Sequence, residues 1–234
     1  MTTDIVRYTL EGTTAIVTMD DGKANALSHA MIDALLDALA RAEREAAALV
    51  LTGRPEKFCA GFDLKVMMSG PDNARQLLRR GSELLMKLYG APLPLVIACT
   101  GHAIAGGALM VLTSDVRVGA TGAFRIGLNE LSIGLPVPVL AMELARDRLA
   151  PTALSRATLG AQIYSPEDAV TAGYLDAVVP ADQLLARATQ EAAKLGAFSR
   201  VMYRATKDRL RGKTIAYILG AVEDDMLRLL PSSS

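Results

Sequence analysis

Neither sign of charge is in excess in this chain: 25 acidic and 25 basic side chains give a formal net charge of zero. No electrostatic argument therefore favours nucleic acid or an anionic membrane surface as a partner. Cysteine is scarce. Cys59 and Cys99 sit in apolar surroundings and make neither a disulfide framework nor a Cys-x-x-Cys motif, which points to a reducing, cytoplasmic setting. Histidine is equally scarce: His29 and His102 have no clustered partners, so a zinc or transition-metal site is not expected. No Gly-x-Gly-x-x-Gly and no Gly-x-x-x-x-Gly-Lys-Ser/Thr phosphate loop occurs, so the usual nucleotide fingerprints are missing. The opening "MTTDIVRYTLEG" carries charge and has no apolar central region, so it does not read as a secretory signal.

What is abundant is apolar residues, 51% of 234 positions, enough for one sizeable core. The longest apolar stretch, Leu95 to Thr113, has the length of a membrane span. Gly101, Gly106, Gly107 and His102 interrupt it, so it reads as strand, turn and buried helix. "TTAIVTMD" and "AALVLTG" read as strands. "SHAMIDALLDALARAERE" reads as a helix capped by Ser28, with Ile32, Leu35, Leu36 and Leu39 on one face. Charged "RPEK" reads as a loop and "FCAGFDLKVM" as the entry to a helix. "ARQLLRRGSELLMKLYG" is amphipathic; "PLPLVIACTG", "DVRVGA" and "AFRIG" look like strands. Beyond Pro136 the signals are helical, ending in two helices, "FSRVMYRATKDRL" and "TIAYILGAVEDDMLRLL", before a polar "PSSS" tail. Strand–helix alternation followed by helices predicts an α/β core with a helical layer. The one candidate internal boundary, Gly160 to Ser165, divides a core over 1–160 from a helical trimerisation or lid region over 161–234 within a single domain.

Three constellations could carry chemistry. In "FCAGFDLK" a small Ala60-Gly61 pair precedes Phe62 and a potential helix cap, Asp63; backbone N–H groups at such a start are unpaired. The plain alternative is an ordinary loop-to-helix junction. In "GHAIAGGALM" a strand, a glycine-bearing turn and a helix expose N–H groups again, unless the glycines serve only close packing. In "FRIGLNELSIGLPVP" Glu130 stands among Leu128, Leu131, Ile133 and Leu135. A buried carboxylate there would be a stronger base; a salt bridge to Arg125 or Arg146, or exposure, would make it ordinary. His102 reads as a satisfied core histidine and Asp115 as a turn or cap residue.

Taken in order, "GKANALS", "FCAGFDLK", "GHAIAGGAL", "SDVRVGA", "IGLNELSIGLP" and "SPEDAVTAGYLDAVVP" resemble the crotonase superfamily, the enoyl-CoA hydratase and isomerase family. The resemblance covers most of residues 5 to 200 and implies a spiral of ββα units with a C-terminal helical layer, assembled as a homotrimer or dimer of trimers. It implies an acyl-CoA thioester substrate with no permanently bound cofactor, and an oxyanion hole made by the backbone N–H groups of Phe62 and Gly106. CoA would lie along Lys23, Ala24, Ala26 and Leu27 and along Ala60, Asp63, Leu64 and Lys65; Leu109, Ile133 and Pro136 would line the acyl pocket. Family carboxylates occupy two positions, here Leu109 and Glu130, so only the second is kept. A lone glutamate suits 3-enoyl-CoA to 2-enoyl-CoA isomerisation, with Glu130 as shuttling base. A hydratase or thioester hydrolase using Glu130 alone, and a non-catalytic acyl-CoA-binding protein, remain the alternatives.

Overall fold

The structure is a computed structural model that describes residues 5–230. The first four residues of the opening stretch and the "PSSS" tail lie outside the described residues, so the readings placed on them are not addressed by it.

Among the described residues nine strands form two sheets. β1 (Val6–Glu11) and β2 (Thr14–Met19) pair antiparallel, and β3 (Ala48–Thr52), β5 (Leu95–Cys99), β7 (Val116–Ala120) and β9 (Ala177–Val179) continue the same sheet in parallel, in the order β1-β2-β3-β5-β7-β9. β4 (Glu56–Cys59), β6 (Gly101–Ile104) and β8 (Ile126–Gly127) form a second, parallel sheet. Each turn of the spiral gives one strand to the large sheet and the next to the small one. A helix then returns the chain: α2 (Leu64–Met67) and α3 (Pro71–Tyr89) after β4, and α4 (Gly106–Leu112) after β6. This is the expected spiral of ββα units, and it stacks the ends of β4, β6 and β8 side by side.

The strongly parallel strands are apolar on both faces because both are covered. α1 (His29–Glu45) packs with α3, α4 and α5 (Val139–Arg148) over one face around a large core that includes Leu51, Leu84, Ile97 and Met110. α8 (Leu184–Gly196) covers the other, laying Leu184, Ala188 and Ala192 on Val50, Val96 and Val118. Ser28 caps α1 as expected, accepting from the Met31 N–H at 3.2 Å.

Several elements differ from the sequence reading. "RPEK" is not all loop, since Glu56–Cys59 pairs with β6, and the stretch after Cys99 is a strand before it is a helix. α6 (Pro151–Thr158) and α7 (Pro166–Ala172) precede β9 within the mainly helical part. The Gly160–Ser165 stretch runs through main-chain pairing: Tyr164 and Ile126 exchange two hydrogen bonds of 2.9 and 3.0 Å. The last two expected helices are one, α9 (Arg200–Leu229). The residue in the supposed gap, Arg211, is what holds it continuous. Its guanidinium is buried and donates to the Tyr89, Thr113 and Ser114 carbonyls, while pairing with Asp115 at 2.9 Å. Lys207, one turn earlier, donates to the Leu93 carbonyl and to Asp115 at 2.7 Å. Asp115 is thus the anchor of a buried ion cluster rather than a simple turn residue. None of the described helices is long and apolar enough to cross a membrane; Leu95 to Thr113 divides into β5, β6 and α4.

Candidate active site

The site starts with Asn25. It is wholly buried at φ +52°, a left-handed conformation that asparagine tolerates better than most residues. Its amide donates to the Met19, Lys57 and Phe58 carbonyls and accepts from the Asp21 N–H. That fastens the 20–27 loop to β4. From there the two expected CoA segments zip together: Ala60 N–H to Ala24 O at 3.0 Å, Leu27 N–H to Gly61 O at 2.8 Å and Asp63 N–H to Leu27 O at 3.2 Å. Lys23, Leu64 and Lys65 point into solvent, and neither lysine makes an ion pair among the described residues. Asp63 caps α2, accepting from Lys65 N–H at 2.9 Å.

This pairing uses the amides on either side of Phe62 and leaves its own N–H without an acceptor among the described residues. The Gly106 N–H is likewise unpaired, at the first position of α4. The two amides are neighbours. A Cβ on Gly61 would fall 3.3 Å from Gly106 N, and a Cβ on Gly106 would fall 3.1 Å from the Phe62 ring. Ala105, just before Gly106, is held at φ +50°, ψ −118°, a strained conformation for a residue with a side chain. Its N–H is tied to Gly127 O at 3.0 Å, so β8 fixes the turn that aims the Gly106 N–H. The glycine pair divides its work. Gly107 exists for packing, since a Cβ there would lie 2.0 Å from the Cys59 carbonyl oxygen. Gly106 leaves room beside a free donor.

The Phe62 side chain has a packing role beside its N–H. One ring edge lies against Gly81 in α3, where a Cβ would come within 2.1 Å, and the other against Gly106. The ring also borders an internal cavity of about 40 Å³. Leu78 and Leu85 of α3, Leu109 of α4, and Ile218 and Val222 of α9 are among its other walls. Leu109 is thus among the cavity's lining residues. Ile133 and Pro136 are not: both are exposed, and Pro138 reaches the cavity instead. A short 3-10 turn over Leu131–Ile133 closes on Gly134 at φ +80°, which swings Ile133 outward and delays the chain's return by two residues. Asp225 of α9 is the one acidic side chain on the cavity wall, and it accepts from the Val139 N–H at 2.7 Å as a cap for α5.

Glu130 lies outside that lining, three residues past Gly127, the β8 residue bonded to Ala105. It is 7% exposed, and its Oε2 is buried with no hydrogen-bond partner. Neither ordinary role applies: Arg146 pairs with Glu143, and Arg125 is exposed and makes no salt bridge among the described residues. Burial raises the Glu130 pKa above the usual carboxylate range, with the nearby main-chain amides of Glu130 and Asn129 pulling weakly the other way. His102 is half-buried and structural, its Nδ1 accepting from Arg125 N–H at 3.1 Å. Among the described residues no group of three or more His, Cys, Asp or Glu side chains gathers as a metal site would require. Sequence reasoning passed over Asn25, Ala105, Gly81 and Asp225. Only Asn25 left a trace, as the one residue of "KANAL" suited to a left-handed turn.

Known proteins are similar to this chain along most of its length. The profile of the enoyl-CoA hydratase/isomerase family matches residues 9–221. The mitochondrial enoyl-CoA delta isomerase 1 of Rattus norvegicus is 29% identical over 217 residues, 91% of this chain and 75% of its own. The 2,3-dehydroadipyl-CoA hydratase of Escherichia coli is 28% identical over 206 residues, covering 87% and 80%. A crystal structure of an enoyl-CoA hydratase/isomerase family protein from Pseudomonas syringae superposes with a TM-score of 0.94 at 38% identity, covering 97% of this chain and 99% of that one.

Proposed function

Because the chain belongs to the enoyl-CoA hydratase/isomerase family, we propose that it isomerises 3-enoyl-CoA thioesters to 2-enoyl-CoA thioesters with Glu130 as the single proton shuttle. The observation that carries this reading is the buried, unpaired carboxylate of Glu130. Buried and without a counter-charge, it holds a proton more tightly than an exposed glutamate and so is the better base near neutral pH.

The chemistry follows. The Glu130 carboxylate takes a proton from the substrate carbon next to the thioester carbonyl. The electron pair moves onto the carbonyl oxygen, giving a dienolate, and that oxygen receives hydrogen bonds from the Phe62 and Gly106 N–H groups. One such donor is worth roughly 3 kcal/mol in the transition state. The protonated Glu130 then returns the proton at the γ carbon and the double bond comes to rest in conjugation. No water enters the balance, and an apolar residue at Leu109 helps to keep water away from the intermediate. CoA would follow Lys23 to Leu27 and Ala60 to Lys65, with the exposed lysines available to its phosphates. A thioester is substrate here and no resident cofactor is called for. Assembly as a homotrimer or dimer of trimers, with a cytoplasmic site of action, belongs to the same proposal.

Hydration by Glu130 alone is the second reading, favoured by the E. coli relative, whose name is that of a hydratase. Glu130→Gln tests both, with isomerisation and hydration followed on matched 3-enoyl and 2-enoyl substrates. The first reading expects 3-enoyl turnover to fall at least about 100-fold while acyl-CoA binding survives. Full retained turnover would end it. Rapid loss of conjugated absorbance from crotonyl-CoA in the unsubstituted protein would instead make the chain a hydratase. Tight acyl-CoA binding without turnover of either substrate would make it a binding protein.

A further inference from the structure

Four buried oxygens on Glu130 and on segments linked to its strand have no hydrogen-bond partner among the described residues: Glu130 Oε2, Asn129 Oδ1 and the phenol oxygens of Tyr164 and Tyr174. Buried polar atoms are nearly always satisfied, so four unpaired ones need an explanation.

The fold links the segments that carry them. Tyr164 exchanges two main-chain hydrogen bonds with Ile126 of β8, the strand that runs on to Asn129 and Glu130. Tyr174 follows α7 and lies beside Tyr164, with ring centroids 5.7 Å apart. Its phenol oxygen lies near the Leu128 N–H but outside hydrogen-bonding geometry. Tyr174 is fully buried and Tyr164 nearly so. Burial raises the pKa of both phenols, and the charge of Glu130 adds to the rise at Tyr174; both therefore keep their protons at neutral pH. The inventory is complementary. The set holds two O–H donors and two oxygens that can only accept when Glu130 is ionised.

We propose that Tyr174, with Tyr164 beside it, is a positioning residue for Glu130, its phenol donating to Oε2 through an ordered water enclosed by these four oxygens. One water with two to four polar partners is the usual way in which such a group is satisfied. The inference rests on Glu130 being the base of the proposed isomerisation. It adds how the carboxylate is held: one oxygen is anchored from behind by neutral donors, so the other is presented in a fixed direction. A neutral donor steadies the ionised form without neutralising it, which limits the rise that burial would otherwise impose. The charged groups nearby are few. Glu130 feels no cation, and Arg156 of α6 acts on Tyr164 from the far side.

The test is the titration of Glu130 itself, read by carbon-13 NMR of its side-chain carboxyl and assigned with Glu130→Gln. Tyr174→Phe should move the midpoint upward by about one pH unit, a tenfold change in proton affinity. The acid limb of kcat/KM for a 3-enoyl-CoA should move with it, mostly through kcat. Replacing an unpaired buried hydroxyl by hydrogen is close to neutral for folding, so a merely structural tyrosine would leave both profiles in place. A titration superimposable on that of the unsubstituted protein would overturn the proposal. Tyr164→Phe gives the same test, with a smaller shift expected, should Tyr174→Phe fail to fold. If the unsubstituted protein turns over no enoyl thioester, the functional reading fails, while the NMR titration still decides the positioning.

Discussion

Gly81→Ala isolates the role of the Phe62 ring. On helix propensity alone this change in the middle of α3 should stabilise by up to about 1 kcal/mol. The site opposes it. The new Cβ would stand 2.1 Å from Phe62 Cε1 and 2.6 Å from Cζ, where carbon atoms settle at roughly 3.5–4.0 Å. The ring must therefore retreat by more than about 1 Å. Its opposite edge lies close to Gly106, near enough that a Cβ there would be 3.1 Å from Cε2, so it can retreat only toward the small cavity beside it. Overpacking of this kind costs about 1–3 kcal/mol, so the net loss of stability is small, about 2 kcal/mol at most. The displaced ring instead drags the 61–63 backbone and with it the Phe62 N–H. A misplacement of about 1 Å near the chemistry costs on the order of 100-fold in rate. Expected together are a melting temperature lowered by a few degrees and kcat/KM on 3-enoyl-CoA lowered about 100-fold. Phe62→Leu in the same chain removes the Cε1 and Cζ atoms that clash, and should restore much of the lost rate. Turnover within twofold of the parent, with a raised melting temperature, would refute the ring as a brace between Gly81 and Gly106.

Two further outcomes follow from strained or buried groups. Ala105→Gly relaxes a conformation costing about 1–3 kcal/mol against an added chain-entropy cost of about 0.4–1 kcal/mol. Denaturant unfolding should therefore show a gain near 1 kcal/mol, with kcat falling about tenfold as the Gly106 N–H loses its fixed aim; a clear loss of stability would mean that Ala105 is not strained. Lys207→Met probes the ion cluster. Burial lowers the Lys207 pKa to about 8, with Asp115 opposing and Arg211 and Arg148 adding to the fall. Between about pH 8 and the unfolded value of about 10.5, the unfolded chain binds a proton that the folded chain does not. Stability contributed by this group therefore rises with pH across that window, by up to about 3 kcal/mol. Stability curves of the parent and the variant should diverge between pH 8 and 9.5, the parent rising relative to Lys207→Met; parallel curves would show that Lys207 does not titrate there.

What the sequence disclosed was whatever local chemistry decides. Ser28 caps α1 because its side chain reaches an N–H three residues on, and α1 then shows its apolar face at helical spacing. Glu130 stood out because a carboxylate among leucines is costly wherever it goes. The small sheet was hidden for the opposite reason. β4 and β6 are four residues each, with no alternation to display, and they exist only because each pairs with a distant segment. Gly107 and Gly81 were ambiguous for the same cause: what forbids a side chain there is the Cys59 carbonyl in one case and the Phe62 ring in the other, both far along the chain. The exposure of Ile133 and Pro136 was not legible either, because it depends on a loop that turns at one left-handed glycine, Gly134.

Leu109 and Asp225 bear on the same question from opposite walls of the cavity. Adding water across a double bond calls for one group to activate the water and another to handle the α-carbon proton. Leu109 offers no such group. Asp225 is acidic and faces the cavity, but its carboxylate holds the Val139 N–H at 2.7 Å and caps α5; freeing it for proton transfer would give up a cap worth roughly 1 kcal/mol. The fold thus uses Asp225 as structure, while Glu130 makes no salt bridge among the described residues. A carboxylate with no counter-ion can take a proton from one carbon and return it to another without breaking an ion pair. That freedom suits a one-base isomerisation, and it is why the proposed reaction turns on the missing counter-charge at Glu130.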